Sequence, residues 1–128
     1  MNTNLTDTPS LRPSFREAIS LAEKQIGFRT ISMRDKARAH ELCAIIAEVY
    51  MMAPDKPIRI SGEWLDGYIV QQVFREITME HAQAVIDEFE RITEDIVNKK
   101  AYLRTMLYNS IFTLDAHYAN RVKHDMGG

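Results

Sequence analysis

Pro54, Pro57 and Gly62 stand within one nine-residue stretch, "PDKPIRISG", near the middle of the chain. Proline has no amide hydrogen to give a helix and its ring clashes with the preceding turn, so no helix runs through this stretch. On either side, apolar residues recur every three or four positions, the spacing that lines one face of a helix. The expected fold is therefore all-α: a compact bundle of about six helices, joined around one short extended segment near residues 57–61. There Ile58 and Ile60 alternate with Arg59, as strand residues do.

Capping signals set the expected helix limits. Phe15, Ala18, Ile19, Ala22 and Ile26 share one face of a first helix, with Pro13 at its start and Gly27 at its stop. Ser32 followed by Asp35 resembles a capping box for a second helix carrying Leu42, Ile45, Ile46, Val49 and Met52, which Pro54 ends. A third helix is expected on Ile69, Val73, Phe74 and Ile77. A fourth, capped by Thr78, carries Ala82, Val85, Ile86 and Phe89. Asn98 caps a fifth, with Tyr102, Leu103, Met106, Leu107 and Ile111, and Thr113 caps a sixth. Residues 1–10 are polar and without periodicity, as in a disordered tail or linker remnant, which leaves residues 11–126 as a single helical domain.

Composition narrows the function classes. A net charge of −2 removes any whole-molecule attraction to nucleic acid or anionic membrane, so DNA contact would need a local patch. No apolar run is long enough to span a bilayer, and "MNTNLTDTPS" has neither the basic start nor the apolar stretch of a secretion signal. Cys43 is the one cysteine, so no intramolecular disulfide forms, and its setting in "ELCAIIAEV" is that of a small buried residue. A reducing cytoplasm fits these features.

Several runs carry a family resemblance. "IRISGEWLDGYIVQQVFREITMEHAQAVIDEF", then "IVNKKAYLRTMLYNS" and a final "YANRVKHDM", resemble a domain of unassigned function at the C-terminus of RepA_N-class replication initiators, found on Gram-positive plasmids, phages and conjugative elements. The similarity is closest from about Ile58 to Met126. It rests on Ile58, Ile60, Gly62, Val70, Phe74 and His81, then on Asn98, Tyr102, Leu103, Leu107, Tyr108 and Asn109, and on the terminal His124 and Asp125. It implies a module appended to a separate DNA-binding winged-helix domain. A looser resemblance is to the C-terminal domain of DnaD-type primosome proteins: Tyr102, Met106 and Leu107 match its Tyr and aliphatics, while Ser110 stands where that family has Trp.

Two surface patches of opposite sign are candidate sites. Lys99, Lys100 and Arg104 follow Asn98, and Arg121 and Lys123 come from the last helix; together they are a candidate partner- or DNA-binding patch. Lysines at a helix N-terminus oppose its dipole, which points to something outside the helix that they serve. From Glu76 to Asp95, seven carboxylates stand against Arg91 alone, and Glu80, Asp87, Glu88, Glu90, Glu94 and Asp95 form a candidate acidic docking face. Tyr102 and Tyr108 are six apart, on nearly opposite sides of a helix, so they make no single stacking stripe and at least one belongs to the core.

Chemistry beyond binding finds no pattern. His117 and His124, with Asp115 and Asp125 close by, lie two turns apart, about 10 Å along a helix, too far to share one ion, so no metal is expected. No phosphate loop, Cys-His pair or nucleophile motif is present, so neither cofactor nor catalysis is expected. The expectation is a non-enzymatic accessory domain of a replication initiator. It would meet host replication proteins of the helicase-loader or primosome type, or assemble with itself at an origin; the alternative is an accessory DNA-binding module. Truncating Phe74, Val85 or Leu103 singly to Ala should lower stability by roughly 2–5 kcal/mol in denaturant melts, each residue lying on an expected buried stripe.

Overall fold

A computed structural model of the chain describes residues 12–127, with side chains from Arg12 to Leu114. Among the described residues there are five α-helices and one two-stranded antiparallel hairpin: α1 (Phe15–Gln25), α2 (Lys36–Met51), β1 (Ile58–Ile60), β2 (Glu63–Leu65), α3 (Gly67–Phe74), α4 (Met79–Glu90) and α5 (Lys99–Gly127). Two 3₁₀ turns, Phe28–Thr30 and Met33–Asp35, link α1 to α2. Among the described residues no helix is long and apolar enough to cross a membrane.

The helix α2 is the centre of the packing and touches α1, α3, α4 and α5. Its run from Leu42 to Tyr50 buries Leu42, Cys43, Ile45, Ile46, Ala47, Val49 and Tyr50, more than one face. A helix apolar on several sides is one that others surround. Ala18 and Ala22 bring α1 against it, Phe74 and Val70 bring α3, Val85 and Ile86 bring α4, and Leu103, Leu107 and Ile111 bring α5. Burial pushes the Cys43 thiol up to about 12, so it is no nucleophile at neutral pH.

Local chemistry explains most boundaries. Ser14 and Glu17 form a reciprocal capping box at the start of α1, and Gly27, at φ +61°, ends it in the left-handed conformation. Asp66 caps α3 through the amide of Ile69 at 3.1 Å. The Thr78 amide donates to His81 Nδ1 at 3.0 Å to open α4, and Asn98 accepts from the Ala101 amide at 3.0 Å to open α5.

The helix ends around the hairpin are closed by side chains from elsewhere. Gln71 on α3 donates to the carbonyls of Val49 and Met52, both at 2.9 Å, and Arg12 donates to that of Met51 at 3.2 Å, so three carbonyls at the end of α2 receive donors from outside the helix. In return the Tyr50 hydroxyl donates to Gln25 and lies 3.2 Å from the Phe74 carbonyl, while Gln25 itself donates to Phe74 and Ile77 at 3.1 and 3.0 Å. Burial pushes the Tyr50 phenol up to about 12, against the opposing hydrogen bond to Gln25 and the charge of Arg75.

Four expectations need correction. The fifth and sixth helices are one: α5 passes unbroken through Thr113, because no Gly or Pro occurs between Lys99 and Met126 and an interior Thr costs a helix only some tenths of a kcal/mol. The extended segment is paired, with Ile58, Arg59 and Ile60 facing Leu65, Trp64 and Glu63 across a two-residue turn whose Ser61 and Gly62 both have positive φ. Ser32 does not cap the α2 backbone through its side chain; its hydroxyl meets the Asp35 carboxylate at 3.3 Å across the 3₁₀ turn. Ile69 is exposed, since α3 starts at Gly67 and turns Gly67, Val70 and Phe74 inward.

Gly67 is the tightest point. A Cβ there would lie 2.1 Å from the Lys56 carbonyl oxygen, a backbone atom that cannot swing aside. Gly67→Ala is expected to lower stability by about 1–3 kcal/mol or more, measured by chemical denaturation, as overpacking against backbone does. Gly62→Ala, with open space around its Cβ, should cost only its left-handed backbone strain.

Candidate functional site

Glu41 and Glu48 on α2 are seven residues apart, two turns, and so share the face that meets the start of α5. Lys99 Nζ lies 3.1 Å from Glu41, and Lys100 Nζ lies 3.0 Å from Glu48, with Arg104 reaching the same carboxylate at 3.9 Å. Arg38 also pairs with Glu41 and stacks its guanidinium on Phe89, 4.5 Å from the ring centre. Burial alone would raise the Glu41 carboxyl, but hydrogen bonds and charge from Lys99 and Arg38 outweigh it and hold the pKa below its ordinary value.

Three members of the expected basic patch, Lys99, Lys100 and Arg104, therefore line a seam between α2 and α5. Lys99 and Lys100 remain about half exposed, whereas the Arg104 side chain is 15% exposed and its Nε is buried without a hydrogen-bond partner among the described residues. A phosphate reaching these cations would compete with two carboxylates already in place. Sequence reading missed Glu41 and Glu48; their heptad spacing beside a buried stripe was the available signal. Arg121 and Lys123 lie outside the residues whose side chains are described, as do Asp115, His117, His124 and Asp125. Among the described residues no group of three His, Cys, Asp or Glu could hold a metal ion.

The expected acidic face is split. Asp87 accepts from Gln83 at 3.0 Å, and Gln83 also donates to Asp35 at 3.1 Å, so these residues knit α4 to the turn before α2. Glu90 lies 3.9 Å from Arg34 on the same side. Asp35, 3% exposed, has its carboxyl held below the ordinary range by the Gln83 hydrogen bond, against burial, with Arg34 and Ser32 adding to the effect. Glu80 stands in the first turn of α4, where its charge suits the helix dipole, and Glu94 is exposed in the α4–α5 loop. Glu88 and Asp95 are exposed and look onto hollows beside α5.

A second surface was not foreseen. Trp64, Tyr68 and Ile69 are each more than half exposed at the hairpin and the first turn of α3, with the Arg59 guanidinium 5.2 Å from the Trp64 ring centre. Neither Tyr102 nor Tyr108 is fully buried: Tyr102 sits edge-on to Phe89 at 6.2 Å, and Tyr108 packs partly against the core and touches the Phe112 ring.

Residues 12–128 match the model of one protein family, described as a family of unknown function (DUF6017). No curated protein and no solved structure matches the chain.

Because Asp35 and Glu41 both have lowered pKa values in the fold, an unfolded chain takes up protons before the folded one as pH falls. Their contribution is complete above the ordinary carboxylate range, about 4, and is lost as pH drops through the lower folded values. Thermal midpoints followed by circular dichroism should fall below about pH 4, and Asp35→Asn should flatten part of that fall; an unchanged slope would contradict the role given to Asp35.

Proposed function

We propose that this chain, which belongs to the DUF6017 family of unknown function, is a non-enzymatic docking module of a DNA replication initiator, meeting host replication proteins or further initiator copies at the origin. The observation that carries the docking half is the fate of the charges. Lys99, Lys100 and Arg104 are held by Glu41 and Glu48, while Glu88 and Asp95 face outward. With the three cations that open α5 already paired to carboxylates, and with other carboxylates and aromatic rings exposed, the surface suits protein better than a phosphate backbone. The replication setting comes from the RepA_N-like residues of the second half of the chain.

Direct DNA contact is the competing reading. Arg59 stacked on the exposed Trp64 favours it, as a ring and a cation on which an unpaired base could lie. In fluorescence anisotropy at low salt the isolated chain is expected to show no saturable binding to duplex or single-stranded DNA. In a complete initiator carrying this module, its removal should stop replication and leave origin binding intact. Micromolar DNA affinity falling steeply with salt would overturn the docking reading in favour of the DNA-binding one.

A further inference from the structure

Two hollows of about 500 and 440 Å³ lie beside α5, and Tyr102 and Thr105 line both of them, so they adjoin. Together they follow α5 from Ala101 to Leu114, a rise of roughly 20 Å at 1.5 Å per residue. One wall of the larger hollow is α4, which presents Ala84, Val85 and Glu88. The tip of the hairpin borders the smaller, shallower one, held to α5 by the Ser61 amide donating to Thr105 Oγ1 at 2.9 Å.

We infer that this trough docks a basic amphipathic helix of a partner protein, an inference that rests on the docking reading above. The length suits three to four helical turns. The small side chains of Ala84, Ala101 and Ser110 let a third helix approach α4 and α5 closely, while Met106 and Leu114 supply apolar floor for its buried stripe. Ser110 donates to the carbonyl of Leu107 at 2.7 Å, so its hydroxyl is satisfied before any partner arrives. Charge selects the occupant. Each hollow carries one exposed carboxylate, Glu88 in the larger and Asp95 in the smaller, and among the described residues no Lys or Arg lines either. Lysines or arginines flanking an apolar stripe would meet these groups at the rim, and an acidic helix or a phosphate backbone would be repelled.

The probe is a fluorescein-labelled peptide of about 14 residues with Leu at helical spacing and Lys elsewhere, long enough to fill the trough. It is titrated with the full chain beside a Glu-for-Lys counterpart and a scrambled Lys peptide that breaks the stripe. Saturable binding of the first peptide is expected, roughly tenfold or more tighter than either control. Glu88→Lys with Asp95→Lys should weaken it by a similar factor and admit the Glu peptide, while the melting curve is kept because both residues are exposed. Trp64→Ala should leave the affinity unchanged. Binding that ignores the double reversal, that is equal for the scrambled peptide, or that is lost with Trp64 overturns the inference. If the double reversal also leaves replication by a complete initiator intact while removal of the whole module stops it, the trough assignment fails and the docking reading stands; a module dispensable for replication would remove the docking reading itself.

Discussion

The reciprocal closing of helix ends between α2 and α3 is the constraint on which the rest of the structure depends. A helix that stops inside a protein leaves its last carbonyls without partners, and each one buried unmet costs about 1–3 kcal/mol. Here Gln71 of α3 meets carbonyls at the end of α2, while Tyr50 of α2 and Gln25 of α1 meet those at the end of α3. Each helix end takes side-chain donors from another helix beside its own local backbone bonds, so three helices lock at one junction. Gly67, one turn before Gln71, lets α3 lie directly on the Lys56 carbonyl and brings Gln71 within reach. The hairpin between them is thereby placed, with Trp64 outward and Ile58 and Ile60 inward.

From that junction the surface charge follows. With α2 fixed at the centre, its Glu41 and Glu48 face the start of α5 and engage the cations there. Partly exposed pairs of this kind each contribute at most about 1 kcal/mol. Their larger consequence is for recognition, because the cations most suggestive of DNA contact are compensated within the chain. On the far side, Gln83 links Asp35 to Asp87 and draws that part of the acidic helix into the fold. Among the groups left outward are Glu88 and Asp95 beside α5 and an aromatic corner at the hairpin.

Much of the helical scaffold was legible because it rests on local rules. Glycine in the left-handed conformation, a side chain capping an amide three residues on, and a stripe every three or four residues all act within a few turns of chain. Gly27, Asn98 and the stripe Leu103–Leu107–Ile111 belong to this class. Thr113 shows where a local rule misleads: the residue is a good cap but also a tolerable helix interior, and nothing nearby forces a break. The second strand was harder to read, since Glu63, Trp64 and Leu65 are too few to show a period and Trp64 points to solvent.

The sequence by itself determined the helical class, the break after α2, most of the buried residues and the sign of each charged segment, because spacing and composition carry these directly. Only the tertiary structure decided which charges are engaged. Lys100 and Glu48 are 52 residues apart, and Asp35 and Gln83 are 48 apart, so no local pattern links either pair. Docking three helix ends against one another brought them within hydrogen-bonding distance, and that same docking left Glu88, Asp95 and the trough beside α5 facing outward.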